Sequence, residues 1–255
     1  MALRFTSLGS GSSGNALVVE CDGTRVMMDC GFAISEVKAR LERVGLSPGA
    51  LAGIVVTHEH DDHMGGVARF AKRYAIPVYV TRGTAQWLPP DFPAVLVRYI
   101  NSHAPFAIGA IAVEPFPVPH DAREPVQYVF SDGDARLGVA TDLGCITQHV
   151  VEKLSGCTAL VVECNHDLDM LMTGPYPAVL KHRVAGRFGH LDNHCARDLV
   201  RNLDKSRLLH LIAAHLSKQN NKPELAVEAM CEGAGCEEGW VGVATQEDGF
   251  GWRDA

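Results

Sequence analysis

The sequence has no C-x-x-C pair. Its eight cysteines (21, 30, 145, 157, 164, 195, 231, 236) stand singly, several on apolar stretches. This argues against a disulfide frame and for small core residues in a reducing cytoplasm. No apolar run approaches the roughly eighteen residues of a membrane span, so no membrane association is expected. The opening segment from Met1 to Ser7 lacks a basic stretch followed by a long apolar one, so no signal peptide is expected. Low-complexity linkers and internal repeats are missing too, and with 47% hydrophobic and 21% charged residues the whole chain, 1–255, reads as a single domain. Excess positive charge is absent: the net charge of −7 argues against a protein that coats nucleic acid indiscriminately. The charge is uneven, however. Residues 181–222 hold nine Lys/Arg against three Asp, a local basic region able to steer a polyanion toward one face or simply to solvate a helix surface.

What the chain does have is an alternation of short apolar runs with helical stretches. Strands are expected at 3–5, 16–20, 25–28, 54–56, 78–80, 94–99, 111–116, 128–130, 137–140, 159–162, 208–213 and 240–244. Helices are expected at 35–44, 67–74, 176–184, 194–202 and 223–230. The mixture predicts packed sheets with outer helices, an α/β fold.

Directly behind the apolar run Ile54-Val55-Val56 stands Thr57-His58-Glu59-His60-Asp61-Asp62-His63, an H-x-H-x-D-H string followed by Gly65-Gly66. Three imidazoles and a carboxylate within six residues form a compact N/O ligand set suited to Zn²⁺, Mn²⁺ or Fe. One loop cannot surround two ions, so partners are expected at other strand ends, where side chains leave a rigid sheet on a common face. His120, Asp142 and His215 each close such a strand. A structural zinc site is disfavoured, because those sites favour Cys-rich sets and no Cys joins this one.

The order H-x-H-x-D-H, strand-end His, T-D-x-G, strand-end His resembles the metallo-β-lactamase fold along essentially the whole chain. That resemblance implies a four-layer αββα sandwich with a binuclear site at one edge of the sheets. It implies that His58, His60 and His120 hold one ion, that Asp62, His63 and His215 hold the other, and that Asp142 bridges them. Asp29 would orient ligands from behind. Two divalent ions about 3.5–4 Å apart lower the pKa of a bridging water to near 7, so a bridging hydroxide is the expected nucleophile, with Asp62 among the catalytic groups.

The fold alone does not choose the substrate. Glu163, His190 and the segment Ser217–Asn221 resemble the nuclease branch that includes tRNase Z, where an acidic residue pairs with a His that protonates the leaving oxygen. Longer strings narrow the match to the YycJ-like (VicX/WalJ) exonuclease subfamily: Ser7-Leu8-Gly9-Ser10-Gly11-Ser12-Ser13-Gly14-Asn15, Val118-Pro119-His120-Asp121-Ala122, Asn165-His166-Asp167, and Ala214-His215-Leu216-Ser217-Lys218. The chain departs from that pattern at Asp61 and Asp192, where serine is usual. The resemblance implies a binuclear metal-dependent phosphodiesterase, a nucleic-acid exonuclease, with His190 as general acid and Glu163 as its partner. Ser10, Asn15, His166, Asn193 and Lys218 are the expected substrate contacts, and the Gly/Ser loop 9–14 could offer backbone N–H groups to phosphate. The rival on the same fold is a small-molecule hydrolase, either a thioesterase of the glyoxalase II kind or a cyclic phosphodiesterase. A flavodiiron-type redox protein is disfavoured, since its flavodoxin-like domain has no counterpart in this chain.

Overall fold

The computed structural model describes residues 2–255. Two seven-stranded sheets lie face to face. The first contains β1 (Arg4–Gly9), β2 (Ala16–Cys21), β3 (Thr24–Met28), β4 (Gly53–Val55), β5 (Val78–Val80) and β6 (Val97–Tyr99). The second contains β7 (Phe106–Ile108), β8 (Ile111–Pro117), β9 (Val126–Ser131), β10 (Arg136–Ala140), β11 (Ala159–Glu163), β12 (His210–Ala214) and β13 (Val241–Val243). The chain then returns to the first sheet, where β14 (Phe250–Asp254) pairs with β1. Among the described residues eight α-helices complete the fold: α1 (Ile34–Arg43), α2 (Asp61–Met64), α3 (Val67–Tyr74), α4 (Gln148–Leu154), α5 (Leu168–Thr173), α6 (Ala178–Val184), α7 (Asn193–Asn202) and α8 (Pro223–Ala234).

Strand alternation sorts the apolar residues into three layers, because neighbouring side chains point to opposite faces. Leu17, Val19, Val26 and Met28 meet Tyr128, Phe130, Leu137 and Val139 between the sheets. The intervening Val18 and Met27 pack under Val37 and Leu41 of α1 and Phe70 of α3. On the other outer face, Val129, Leu160 and Val162 pack under Val150 of α4, Leu199 of α7 and Met230 of α8. The order is helix, sheet, sheet, helix, the expected αββα sandwich.

Parallel pairing runs from β3 to β6 and from β10 to β13, so these strands finish at one edge of the sandwich. Two bonds join the sheets there: Tyr128 Oη donates to Val56 O at 2.7 Å, and Val126 N donates to Thr57 O at 3.0 Å. The H-x-H-x-D-H loop therefore starts from a braced point.

Most expected elements form close to their expected bounds, and α3 forms over 67–74 as read. The run 94–99 is a strand only at Val97–Tyr99, because Pro93 opens a 3₁₀ turn at Ala94–Leu96. Helix α8 continues four residues past Met230 to a left-handed Gly235, which ends it. Strands β7 and β14 and helix α4 carry too little periodic apolar signal to be read from the sequence. Among the described residues no helix is long and apolar enough to cross a membrane, and no disulfide links the eight cysteines.

Candidate metal centre

Four loops at the strand-end edge bring together the seven expected ligand residues, which form two adjoining groups. In the first, His58, His60 and His120 each place a ring nitrogen within 4.8 Å of the others; in the second, a carboxylate oxygen of Asp62 and ring nitrogens of His63 and His215 do so. Asp142 lies between them: its Oδ2 is 3.1 Å from His63 Nε2, and its Oδ1 is 3.9 Å from His120 Nε2. The nitrogens that face each other, His60 Nδ1 and His120 Nε2, are 3.2 Å apart.

The outer nitrogen of each buried imidazole is held from behind. His120 Nδ1 donates to Gly189 O at 3.0 Å. His63 Nδ1 donates to Asp29 Oδ2 at 2.8 Å, and Thr57 Oγ1 donates to the same oxygen at 2.9 Å while standing 2.9 Å from His58 Nδ1. One carboxylate thereby orients an imidazole in each group, the arrangement that turns ligand lone pairs toward a metal. His58 Nε2 is buried without a hydrogen-bond partner, and buried Asp142 Oδ2 meets only the ring nitrogen of His63. Orphaned acceptors in a His/Asp cluster are costly unless a cation meets them, so these residues fit a divalent ion.

Three of the site residues take the left-handed backbone conformation that non-glycine residues rarely adopt: Asp29 (φ 60°), Asp142 (φ 55°) and His215 (φ 55°). Asp29 and His215 immediately follow their strands and Asp142 lies two residues past its own, and the reversal turns each side chain off the sheet edge. Nothing in composition or periodicity signals this. Gly31 allows the Asp29–Cys30 turn to lie against the ligand loop, since a Cβ there would sit 1.8 Å from Asp62 O; Asn15 N also donates to Asp62 O, and Cys30 N to His63 O.

Glu163 organises the other side. Its Oε1 accepts from both His190 Nδ1 (2.8 Å) and His215 Nδ1 (2.9 Å). Its Oε2 accepts from the backbone N–H groups of Leu143 and Leu191. His190 keeps Nε2 free on a side chain 21% exposed, with ring centroids 5.3 Å from His120 and 5.4 Å from His215.

The electrostatics follow from this crowd of carboxylates. Burial pushes the Glu163 carboxyl up, but the charge and hydrogen bonds of His190 and the bond from His215 hold it down to about 2. Burial works to lower the pKa of His215, yet Asp142, Asp62 and Glu163 push it up to about 10. His63 and His190 are raised in the same way against burial, the former by Asp142, Asp62 and Asp29, the latter by Glu163 and Asp142. His58 and His120 move down, chiefly because burial disfavours their charged forms.

The five expected substrate contacts divide. Ser10 and Lys218 line a cavity of about 340 Å³ beside His215. Ser10 Oγ accepts from His215 N, and Lys218 pairs with Glu247 at 2.5 Å. Asn15 is buried, with Nδ2 3.1 Å from His63 Nε2 and bonded to the backbone of Gly11 and Asp62. Asn193 and Asn221 clasp each other side chain to side chain inside the protein, which removes Asn193 from the surface. His166 is buried against Asn165 with Nε2 unpartnered, while its neighbour Asp167 caps α5 through Met170 N.

The structure narrows two expectations about charge and the glycine-rich loop. Five N–H groups of the 9–14 loop are consumed internally: Gly9 N on Ser7 Oγ, Ser10 N on Thr245 O, Gly11 N on Asn15 Oδ1, Ser13 N on Gln246 Oε1 and Gly14 N on Gly11 O. The loop is a clasped hairpin turn that keeps most of its donors for itself, with exposed Ser12 at its tip. The basic stretch 181–222 is not one track either. Arg197 and Arg201 pair with Glu232, Arg207 pairs with Asp134, and Lys205 caps carbonyls at the end of α7. Its two ends border the centre, where Arg183 pairs with Asp121 at 2.6 Å and Lys218, three residues after His215, pairs with Glu247. Asp192, one departure from the subfamily pattern, caps α7 by accepting from Cys195 N, a task serine performs equally well. Asp61, the other, opens α2 as an exposed residue.

Sequence reasoning missed Thr57, Asn165 and Gly189. Thr57 relays Asp29 to His58, Asn165 Nδ2 donates to His215 O at 3.0 Å, and Gly189 receives His120. Their only signal is adjacency to a ligand or to His190.

Residues 24–211 match the family model of the beta-lactamase superfamily domain. Exodeoxyribonuclease YycJ of Bacillus anthracis is 34% identical over 258 residues, covering all of this chain and 94% of the relative. The chain belongs to the metallo-β-lactamase-fold superfamily, in its YycJ/WalJ group. Exodeoxyribonuclease WalJ of Streptococcus pneumoniae is 30% identical over 234 residues, covering 89% of this chain and 86% of the relative. The solved structure of the short form of human tRNase Z has the same fold, with a TM-score of 0.62 at 18% identity, covering 84% of this chain and 93% of that one.

Proposed function

We propose that this chain is a metal-dependent phosphodiesterase acting as an exonuclease on DNA, working as a single domain in the cytoplasm. The observation that carries the reading is Glu163: one buried carboxylate holds both His215, at the edge of a ligand group, and His190, whose Nε2 is free beside it. A purely structural metal site has no use for the second histidine. The full-length similarity to two relatives named exodeoxyribonucleases supports DNA as the substrate.

His58, His60 and His120 would hold one divalent ion and Asp62, His63 and His215 a second, with Asp142 between them; zinc, manganese and iron all suit these donors. When bound, two such ions supply Lewis acidity toward the phosphodiester and lower the pKa of a bound water. The chain's own residues do the rest. Asp29 and Thr57 fix the tautomers of His63 and His58, so their Nε2 lone pairs point inward. Glu163 holds the proton of His190 on Nδ1 and stabilises the cation, so that Nε2–H can protonate the departing oxygen. Without that proton the leaving group would depart as an alkoxide.

The test is degradation of end-labelled single- and double-stranded DNA and RNA by metal-stripped protein resupplied with Mn²⁺ or Zn²⁺. Stepwise metal-dependent loss of nucleotides from DNA is expected. His190→Ala should keep the wild-type metal content, measured by elemental analysis, and lower turnover roughly 10²-fold or more. Metal loss in that variant would make His190 a ligand and overturn its role. Turnover of thioesters or cyclic phosphates with no nucleic-acid cleavage would replace the nuclease reading by the small-molecule one.

A further inference from the structure

We infer that Phe188 is a stacking platform for a nucleobase next to the scissile phosphate, an inference that rests on the nuclease reading above. Phe188 is a large aromatic side chain left 60% exposed, and its backbone is built into the rim of the centre. Its carbonyl accepts from Asp121 N at 2.9 Å, directly after the ligand His120. The next residue, Gly189, accepts from His120 Nδ1 through its carbonyl, and a Cβ there would lie 2.2 Å from the carbonyls of Arg183 and Val184. On the other side, a Cβ on Gly144, two residues after Asp142, would lie 2.2 Å from Arg187 O and 2.4 Å from Phe188 Cα. The loops that carry His120 and Asp142 thus both close on residues 187–189, and His190 follows.

A ring held on such a frame yet given to water has no packing role to justify it. A planar apolar face beside a phosphodiester site suits one partner, the base attached to that phosphate, and stacking accepts any base because every base has a π-face. Charge complements the ring. The preceding Arg187 is exposed and makes no ion pair among the described residues, unlike the arginines farther along the basic stretch. An unpaired guanidinium beside a free aromatic ring offers one group to the phosphate and one to the base. Phe188 touches no reacting atom; it acts by positioning, holding the substrate so that the phosphate meets the metals and His190.

The experiment compares wild type, Phe188→Ala and Phe188→Trp on DNA, with and without a single abasic analogue at the terminal or the penultimate nucleotide. Phe188→Ala should keep its metal content and melting temperature and lose roughly 10- to 100-fold in kcat/KM on intact DNA, mostly through KM. Phe188→Trp should restore it. Wild type should lose a similar factor when the abasic site falls at the stacked position, and Phe188→Ala should lose nothing further there. If Phe188→Ala falls below wild type by the same factor on abasic DNA as on intact DNA, each compared on the same substrate, the effect is structural and the inference is overturned, as it would be by an unchanged KM while wild type degrades DNA normally. No degradation of DNA by wild type in any metal would instead remove the nuclease reading and this inference with it.

Discussion

At the scale of single residues, Glu163 explains most about the pH behaviour to expect. His190 sits in a buried setting that would lower its pKa, and Glu163 with Asp142 reverses this. A raised pKa keeps the imidazolium present above the pH at which an ordinary histidine loses its proton, so the alkaline limb of kcat/KM should extend upward. Glu163→Gln removes the negative charge while keeping the shape. Its alkaline limb should move to lower pH, read from the full profile of kcat/KM, and an unmoved limb would show that another group supplies the proton. The residue scale is also where sequence reasoning went furthest. His58, His60, Asp62 and His63 declare themselves in one string, and His120, Asp142 and His215 because each ends an apolar strand. The left-handed turns at Asp29, Asp142 and His215 stayed hidden, since they are imposed by packing at the sheet edge rather than by a glycine-type signal.

At the scale of elements, the centre depends on how closely neighbouring segments approach. The turn after β3 carries Asp29 and lies under the loop before α2, with Gly31 at the contact. Gly31→Ala should force those two segments apart, lowering the urea midpoint by the equivalent of about 1–3 kcal/mol. It should also weaken metal binding, because Asp29 would no longer reach His63 and Thr57 together. Retained metal affinity with lowered stability would separate the two effects. The elements that went unread fail for a common reason. Strand β14 is paired with β1 from the far end of the chain, and β7 is three residues long; their pairing is a tertiary fact. The same holds for charge. Residues 197–207 look like free cations in sequence, and the carboxylates that neutralise them, Glu232 and Asp134, arrive from other parts of the chain.

At the scale of the whole molecule, the two sheets supply different halves of the centre and share a core that does not include it. Metal removal should therefore leave a cooperatively folding protein with a lower melting temperature, the loss depending on ion concentration. The pH dependence should reverse between the two forms. Without metal, His63 and His215 carry folded-state pKa values above their unfolded ones, so their contribution is complete below about pH 6.5 and fades as pH rises toward the His215 value of about 10. The stripped protein should melt lower at pH 9 than at pH 6. The loaded protein should gain over the same interval, because each ion must displace those protons and binds more tightly as they become scarce. Scanning calorimetry with chelator and with Zn²⁺ or Mn²⁺ across that range measures both slopes, and parallel slopes would show that these histidines do not exchange protons for metal.

The shared oxygen of Glu163 ties together two properties, ion affinity and acid strength. His190 and His215 draw on the same lone pairs, so any change that makes one a firmer donor leaves less for the other. Filling or emptying the neighbouring ion position would then reset the strength of the acid, and the identity of the bound ion would be audible in the acid's titration. Mutational drift at either histidine is constrained in the same way: affinity for the ion and readiness to release a proton must change as a pair.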